Sequence, residues 1–314
     1  MRPLVSVCCL AYNHAPYIRK ALDGILMQKT SFPFEVIIHD DVSTDGTIDI
    51  IKEYAEQYPD IIKPIFEEEN QYSKNVPISL NILYPRARGK YIAICECDDY
   101  WTDCNKLEKQ ILYMEKHPEC SCTAHAVNYI ENGEITRNDR RSAKECDFTP
   151  EQVISGGGAF VATCSLCFRT EYACEKPKWR MLAAANVGDY PSQILFSLKG
   201  KFHYFPMIMG RYRLGHPGSW TEMQRHNISA SIENRSLEAK WLNELNRETG
   251  FKYRHCICRL IGGDLNYLYK HNALEAVEFK RIMKEYKFDV RNLIFWKMKI
   301  FLRKLKRGTF GWNR

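Results

Sequence analysis

The sequence predicts an α/β protein with a mainly parallel, doubly wound sheet and a helical C-terminal region. Within residues 1–130, short apolar runs that suit buried strands alternate with segments whose apolar residues recur at helical spacing. Polar clusters follow three of the apolar runs: AYNHAPY, HDDVSTDGT and ECDDYW. The alternation favours right-handed crossovers between parallel strands, and ligands bind beyond the carboxyl ends of the strands in such sheets. The three polar clusters therefore predict one shared site.

The first half of the chain supplies four strand–helix pairs. The first strand is a continuously apolar run, as expected where both faces are covered, and the first helix carries its apolar residues at helical spacing from Tyr17 to Leu26. We predict strands at LVSVCCLA (4–11), FEVIIHDD (34–41), IIKPIF (61–66) and KYIAICE (90–96). We predict helices at residues 14–28, 48–59, 77–87 and 105–118.

The pattern loosens from residue 120 to 218 and is mostly helical from about residue 220. We predict strands at CSCTAHAVNYI (120–130), ATCSLCFRT (162–170) and the start of 201–220, a capped helix at TPEQVISGGG (149–158), and a loop entering a helix at NVGDYPSQILFSLKG (186–200). The predicted organisation is a main domain at 1–218 with halves 1–118 and 119–218, a helical region at 219–290, and a tail at 291–314.

The basic charge of the chain is concentrated in the tail. Residues 291–314 hold eight of the 45 Lys and Arg residues and no Asp or Glu, so the remaining chain is nearly neutral and does not indicate nucleic-acid binding. Apolar residues of the tail recur at helical spacing, which predicts an amphipathic helix on an anionic membrane surface. A helix packed on the domain or on a protein is the alternative.

The chain is predicted to be cytoplasmic and peripheral on the inner face of the cell membrane. It has no apolar run of about 18 residues that would span a bilayer. Its start, MRPLVSVCCLAYN, also lacks the layout of a signal peptide.

ICECDDYW places Glu96, Asp98 and Asp99 directly after the apolar run YIAI. If the strand continues, Glu96 and Asp98 share one face, whereas Cys97 and Asp99 share the other. Two carboxylates on one face suit a hard cation such as Mg²⁺ or Mn²⁺, which often arrives bound to substrate phosphates. For an isolated E-x-D-D motif, a solvated acidic loop is the alternative.

HDDVSTDGT strengthens the prediction of a shared site. Asp40 and Asp41 end the second strand, and the turn after them opens a helix whose first N–H groups are free. Alone, this motif would also fit an ordinary capped turn.

Four ordered motifs resemble the family 2 inverting glycosyltransferases, which have the Rossmann-like GT-A fold, and in particular bacterial members that build surface polysaccharides. The motifs are VSVCCLAYNHAPYIRKALDGILMQ, EVIIHDDVSTDGTIDII, ARGKYIAICECDDYWTDCNKLEKQILYME and YRLGHPGSW, and they extend over residues 3–220. Any one of them would be a weak signal.

The resemblance implies a site for a nucleoside-diphosphate sugar. Tyr12 and Asp41 would contact the base and the ribose, with Asp40 beside them. Asp99 would lie near the donor sugar or the phosphates, and Trp220 would close over the site.

The resemblance also implies a metal site and a general base. Asp98 would be the principal ligand of Mg²⁺ or Mn²⁺, Glu96 occupies the first position of the acidic motif, and His216 would contact the metal directly or through another ligand. Asp189 in VGDY would be the base, and we expect its position at a helix start to favour the ionised carboxylate. A helix cap at Asp189 and a turn residue at His216 are the alternatives.

The sequence thus predicts an inverting, metal-dependent glycosyltransferase that acts on a saccharide or lipid-linked saccharide acceptor. A sugar-nucleotide pyrophosphorylase is an alternative with the same fold, although LAYNHAPY lacks the Gly-rich loop that holds a triphosphate. A non-catalytic membrane or sugar-binding adaptor is the second alternative.

Overall fold

A computed structural model describes residues 2–174, 181–182, 185, 188–215, 219–271 and 273. Ten strands lie within these residues: β1 Val5–Ala11, β2 Phe34–Asp40, β3 Ile62–Phe66, β4 Tyr91–Ile94, β5 Tyr100–Trp101, β6 Cys120–Glu131, β7 Glu134–Asp139, β8 Cys146–Phe148, β9 Cys167–Arg169 and β10 Lys201–Arg213. The helices described are α1 Ile18–Leu26, α2 Thr47–Gln57, α3 Lys106–Lys116, α4 Pro150–Gly156, α5 Thr170–Cys174, α6 Asp189–Lys199, α7 Trp220–His226, α8 Ile228–Glu248 and α9 Arg254–Lys270.

The strands form one mixed sheet in the order β3-β2-β1-β4-β9-β6-β10-β5, with β7 on β6 and β8 on β10. The pairs β1–β2, β1–β4, β2–β3 and β6–β10 are parallel. The strands β5, β7, β8 and β9 pair antiparallel to their neighbours. The predicted α/β fold with a mostly parallel sheet is confirmed, and the antiparallel pairs all involve these four strands.

The core lies between the first four strands and the helices that cross them. Leu107, Ile111 and Met114 of α3 are fully buried at spacings of four and three residues, so one face of this helix packs on the sheet. Each such side chain contributes about 1.5–3 kcal/mol when it is removed from water. This packing fixes the direction of the strands whose ends form the site.

The segment predicted as a helix at 77–87 is irregular. A π-helical turn at Ser79–Leu83 leads directly into a 3₁₀ turn at Tyr84–Arg86. Pro85 explains the break, because proline inside an α-helix has no N–H to donate and its ring clashes with the preceding turn. The strand predicted at 162–170 is also shorter than expected, since a 3₁₀ turn at Thr163–Ser165 comes before β9.

The chain divides into two compact units between Ser231 and Ile232. In the second unit, Arg235 of α8 donates a hydrogen bond of 2.8 Å to the buried Asp264 of α9. The boundaries predicted at 218 and 290 stay predictions, and the tail at 291–314 lies outside the described residues. None of the helices in the described part of the chain is long and apolar enough to cross a membrane.

Candidate active site

Three strand ends converge on the candidate site. β1 lies between β2 and β4 and runs parallel to both, so the carboxyl ends of the three strands lie at the same end of the sheet. We call this end the carboxyl edge. Beyond the strands, the N–H groups of Asp41 and Cys97 donate to consecutive carbonyls at the end of β1, each at 3.0 Å. Tyr12, Asp41 and residues 96–99, the acidic turn, therefore lie beside one another at this edge.

Asp40 holds the turn that follows β2. Its carboxylate is fully buried and accepts hydrogen bonds from the N–H (2.9 Å) and the hydroxyl of Ser43. The same hydroxyl accepts from the N–H of Asn13 at 2.9 Å, and Asn13 Oδ1 accepts from the N–H of Thr44 at 2.8 Å. These hydrogen bonds connect the loops after β1 and β2, and the buried Asp40 carboxylate stabilises the connection through Ser43. Its predicted contact with the donor stays a prediction.

Asp41 anchors the segment from Asn70 to Tyr72. Its two carboxylate oxygens accept from the N–H groups of Gln71 (2.7 Å) and Tyr72 (3.0 Å), and the Asn70 side chain donates to its carbonyl at 3.0 Å. A carboxylate has about four acceptor positions, so Asp41 can also bind a ribose hydroxyl. Tyr12 and Tyr72 are 48% and 56% exposed at this edge. Sequence reasoning missed Tyr72, because nothing in a polar loop signals its contact with Asp41.

The acidic turn differs from the strand end that the sequence predicts. β4 ends at Ile94, and the N–H of Asp99 donates to the carbonyl of Glu96 at 3.0 Å, which closes a turn. Burial nevertheless alternates: Cys97 and Asp99 are buried, whereas Glu96 and Asp98 are half-buried. The alternation persists because the N–H of Cys97 still pairs with β1 as that of a strand residue would. The two carboxylates predicted to share a face are thus the two that remain partly open to solvent.

The carboxylates of this edge disfavour one another's ionisation. Burial, followed by the charges of Asp99, Asp98 and Asp189, raises the pKa of Glu96 well above its ordinary value. Burial and the charge of Asp98 also raise the pKa of Asp99, although a hydrogen bond from the N–H of Arg213 opposes them. A half-buried cluster of like charges of this kind favours binding of a cation.

Arg213, the last residue of β10, contacts the acidic turn. Its N–H donates to Asp99 Oδ1 at 2.7 Å, and its Nε donates to the carbonyl of Asp98 at 2.9 Å. Asp99 is 1% exposed, so this contact with β10 supports the turn, and its predicted closeness to the donor stays a prediction. Sequence reasoning missed Arg213, because a single arginine at a strand end carries no signal of its partner.

Asp189 is the first residue of α6, as predicted, and is half-buried. Its carboxylate accepts from the N–H of Tyr190 at 2.7 Å. Burial raises its pKa, whereas the N–H groups at the helix start lower it in the direction that the sequence predicts, and burial outweighs them. The charge of Asp189 contributes to the raised pKa of Glu96, Tyr84 and Tyr212, which places it within electrostatic range of the acidic turn.

The side chains of the acidic turn fit a hard divalent cation that brings further ligands with it. Among the described residues, no group of three or more His, Cys, Asp or Glu side chains could hold a metal ion by itself. Magnesium, however, commonly binds through one or two carboxylates plus substrate phosphates, and Glu96 and Asp98 offer two. His216 lies outside the described residues, and so does the side chain of Trp220 at the start of α7.

Residues 6–175 match the sequence profile of glycosyl transferase family 2. An uncharacterised protein of Mycobacterium tuberculosis is 34% identical over 242 residues, which cover 73% of this chain and 67% of that protein. The putative teichuronic acid biosynthesis glycosyltransferase TuaG of Bacillus subtilis is 39% identical over 41% of this chain and 47% of its own length. The Escherichia coli UDP-Glc:alpha-D-GlcNAc-diphosphoundecaprenol beta-1,3-glucosyltransferase WfaP is 38% identical over 36% of this chain and 41% of its own.

Two solved structures share the fold. Staphylococcus aureus TarS, in complex with UDP-GlcNAc, superimposes with a TM-score of 0.61 over 85% of this chain and 72% of its own, at 16% identity. The mannosyltransferase PcManGT of Pyrobaculum calidifontis, in complex with GDP-Man and Mn²⁺, gives a TM-score of 0.53 over 91% of this chain and 79% of its own, also at 16% identity. At this level of identity the likeness establishes the fold alone.

Proposed function

The chain belongs to glycosyl transferase family 2, and we propose that it moves a sugar from a nucleoside-diphosphate sugar to a hydroxyl acceptor with inversion at the anomeric carbon. The observation that carries this proposal is the carboxyl edge. There, Glu96, Asp98, Asp99 and Asp189 interact electrostatically, and the pKa values of Glu96, Asp99 and Asp189 are raised. Such an edge suits a diphosphate that arrives with a divalent cation.

Asp98 and Glu96 are the residues that would hold the cation. A bound Mg²⁺ or Mn²⁺ would act as a Lewis acid for the charge that builds on the departing diphosphate, an effect worth several kcal/mol. Glu96 and Asp98 remain half-buried near the exposed Tyr12 that follows β1, where a donor can reach them. Asp99, by contrast, uses one oxygen to bind the backbone of β10, so its contribution is to hold the turn.

Asp189 is the proposed general base. The acceptor hydroxyl must lose its proton as it attacks the anomeric carbon, and a positioned carboxylate contributes about 10²–10⁴-fold to such a step. A pKa above the ordinary value makes Asp189 a better proton acceptor than an ordinary aspartate at neutral pH, provided that it is ionised. A single displacement with the base and the leaving group on opposite sides of the sugar inverts the anomeric centre.

The relatives support a class of donor and a class of acceptor. TarS is solved with UDP-GlcNAc and PcManGT with GDP-Man, which supports a nucleoside-diphosphate sugar as donor without selecting the base. WfaP acts, by its name, on a saccharide carried by diphosphoundecaprenol. We therefore propose a saccharide or lipid-linked saccharide acceptor in the synthesis of a surface polysaccharide. An amphipathic tail at 291–314 would suit such an acceptor by holding the enzyme at an anionic membrane surface.

The two alternatives left open by the sequence have less support. The match to the glycosyltransferase profile covers the loop after β1 and the acidic turn, the segments on which a nucleotidyltransferase would differ. A non-catalytic adaptor would have no use for several partly buried carboxylates that destabilise one another.

Hydrolysis of nucleotide sugars tests the proposal without knowledge of the acceptor. UDP-Glc, UDP-GlcNAc and GDP-Man are incubated with the protein in Mn²⁺ or in EDTA, and the anomer formed is read by proton NMR. We expect one donor to be cleaved with inversion in Mn²⁺ only, and Asp98→Asn to lower the rate at least 10²-fold. Asp60→Asn, at an exposed aspartate just after α2, is the matched control. Metal-dependent cleavage that survives Asp98→Asn would contradict the site.

A further inference from the structure

Arg213 joins three parts of the site that are far apart in the sequence. Its backbone N–H binds Asp99 Oδ1, its Nε binds the carbonyl of Asp98, and its guanidinium carbon lies 4.2 Å from the centre of the Tyr17 ring. Tyr17 precedes α1 and Arg213 ends β10. The acidic turn is therefore held between the loop after β1 and the end of β10, which lies three positions from β4 in the strand order.

The contact with the Asp98 carbonyl constrains the residue that matters most for the metal. A hydrogen bond to a carbonyl fixes the plane of that peptide, and the peptide plane limits the directions that the adjoining side chain can take. The backbone N–H of Arg213 binds the side chain of Asp99, the next residue of the same turn, and any residue other than proline at this position would keep that contact. The side-chain contact with the Asp98 carbonyl is therefore the one that a substitution of Arg213 removes.

The Tyr17 ring holds the guanidinium in this position. A planar guanidinium over an aromatic face is stabilised by the ring quadrupole, and arginine stacks in this way better than lysine. Stacking uses the flat face of the group and leaves Nε free to donate in its own plane. A lysine would retain the charge at this position but lose the planar donor.

We propose that Arg213 is a positioning residue that orients Asp98 for the divalent cation, an inference that rests on the proposed function. Groups that hold metal ligands in place are commonly worth 10–100-fold in metal affinity when they are removed. Arg213 acts through Asp98 and is not itself a ligand, because its guanidinium carries only donors and a positive charge.

Arg211 provides a matched control on the same strand. It lies two residues before Arg213, on the same face of β10, and its side chain donates a hydrogen bond of 3.5 Å to the carbonyl of Gly210. Loss of charge at Arg211 changes the net charge of the protein by the same amount as loss of charge at Arg213. A difference between the two variants therefore reports on position and not on charge.

The test measures Mn²⁺ binding at saturating UDP, with electron paramagnetic resonance as the readout of free and bound Mn²⁺. We expect Arg213→Gln and Arg213→Lys each to raise the half-saturating Mn²⁺ concentration about 10-fold or more, whereas Arg211→Gln leaves it unchanged. Calorimetric titration of UDP in EDTA is the second measurement, and we expect the same UDP affinity in all four proteins. Thermal unfolding checks that Arg213→Lys, the milder change, is folded at the temperature of the assay.

Two results would overturn the inference alone. Unchanged Mn²⁺ affinity in both Arg213 variants would show that Asp98 needs no such support. If Arg213→Lys kept the wild-type affinity for Mn²⁺ and Arg213→Gln bound UDP more weakly in EDTA, Arg213 would instead act by its charge on the phosphates of UDP. Failure of the wild-type protein to bind Mn²⁺ in the presence of UDP would instead overturn the proposed function, and the inference with it.

Discussion

At the amino end of β2, Glu35 is buried and paired, whereas at the carboxyl end of β4, Glu96 is half-buried among other acids. Glu35 accepts hydrogen bonds from the Ser6 hydroxyl at 2.6 Å and from Arg88 N–H and Nε at 3.0 and 2.8 Å. Burial alone would raise its pKa, but Arg88 and Ser6 outweigh burial and lower it. The pKa of Glu96 is raised by burial and by three neighbouring carboxylates.

The amino ends of β6 and β10 repeat this pairing. Glu119, just before β6, forms an ion pair with Lys201 at 3.1 Å, and its pKa is lowered by its own backbone N–H and by Lys201. The same fold thus pairs acids with bases at one end of its strands and groups acids together at the other. Selection for stability alone does not explain the second arrangement, which is typical of sites that receive a charged partner.

Among the substitutions that test this comparison, we expect the largest effect on activity at Asp189. Asp189→Asn removes the proposed base with little change of shape, so we expect kcat for transfer to fall about 10²–10⁴-fold. Binding of UDP should be unchanged, because Asp189 is not among the proposed ligands. Steady-state kinetics measures the loss of kcat, and calorimetry measures the affinity for UDP. A fall in UDP affinity that accounts for the whole loss would remove Asp189 from the role of base.

A pair of glycines tests whether packing at the two ends serves different purposes. A Cβ on Gly24 of α1 would lie 2.7 Å from the carbonyl oxygen of Trp101, and one on Gly89 would lie 2.6 Å from the backbone nitrogen of Ser6. Replacement of either glycine by alanine should lower the free energy of unfolding by about 1–3 kcal/mol. Urea unfolding measures this cost.

Activity should distinguish the two glycines. Trp101 belongs to β5, which directly follows the acidic turn, so Gly24→Ala should also lower donor hydrolysis under conditions in which the protein is folded, whereas Gly89→Ala should not. Equal activity losses in both variants would mean that the turn is insensitive to the position of β5.

A neutral substitution should lower the stability of the protein at Glu35 but not at Glu96. Glu35→Gln breaks a buried pair whose arginine is 59% exposed, so we expect a loss of about 1–2 kcal/mol at pH 7. Glu96→Gln removes repulsion and should leave stability equal or higher while activity falls. Thermal unfolding of both variants measures the two changes. A melting temperature of Glu96→Gln below that of the wild type would contradict the proposed difference between the two ends of the strands.

The smallest expected effect is on the pH dependence of stability. The pKa of Glu35 is lower in the folded protein than its ordinary 4.5, so the unfolded chain binds more protons, and stability is lost as pH falls through the folded pKa. Glu35→Gln should therefore make the fall in unfolding free energy between about pH 5 and pH 3 shallower. For Glu96 the sign reverses, because a raised folded pKa costs stability as pH increases. An unchanged acid slope in Glu35→Gln would show that the Arg88 pair contributes nothing.

The sequence predicted the parallel strands and the meeting of their polar ends, because apolar runs and helical spacing report burial directly. It did not predict β7 or β8, since Glu134–Asp139 is a short polar run whose partner is specified only by the fold. The helix predicted across Pro85 failed for a reason that was visible in the sequence.

The site was predicted unevenly. Asp41 and the acidic turn lie where the strand ends placed them, and the pattern of residues 186–200 predicted Asp189 at a helix start, whereas its role as base came from the resemblance. Arg213 and Tyr72 were missed because each acts through a contact with a residue more than 30 positions away. The raised pKa of Asp189 also could not be read from the sequence, because it arises from burial by the rest of the fold.

A crystal structure of the protein with UDP and Mn²⁺, with data collected at the manganese absorption edge, tests the central claim most directly. We predict one anomalous peak in contact with the carboxylate of Asp98 and with oxygens of both phosphates, on the side of the turn that faces Asp189. A peak bound to the nucleotide alone and remote from residues 96–99 would contradict the account.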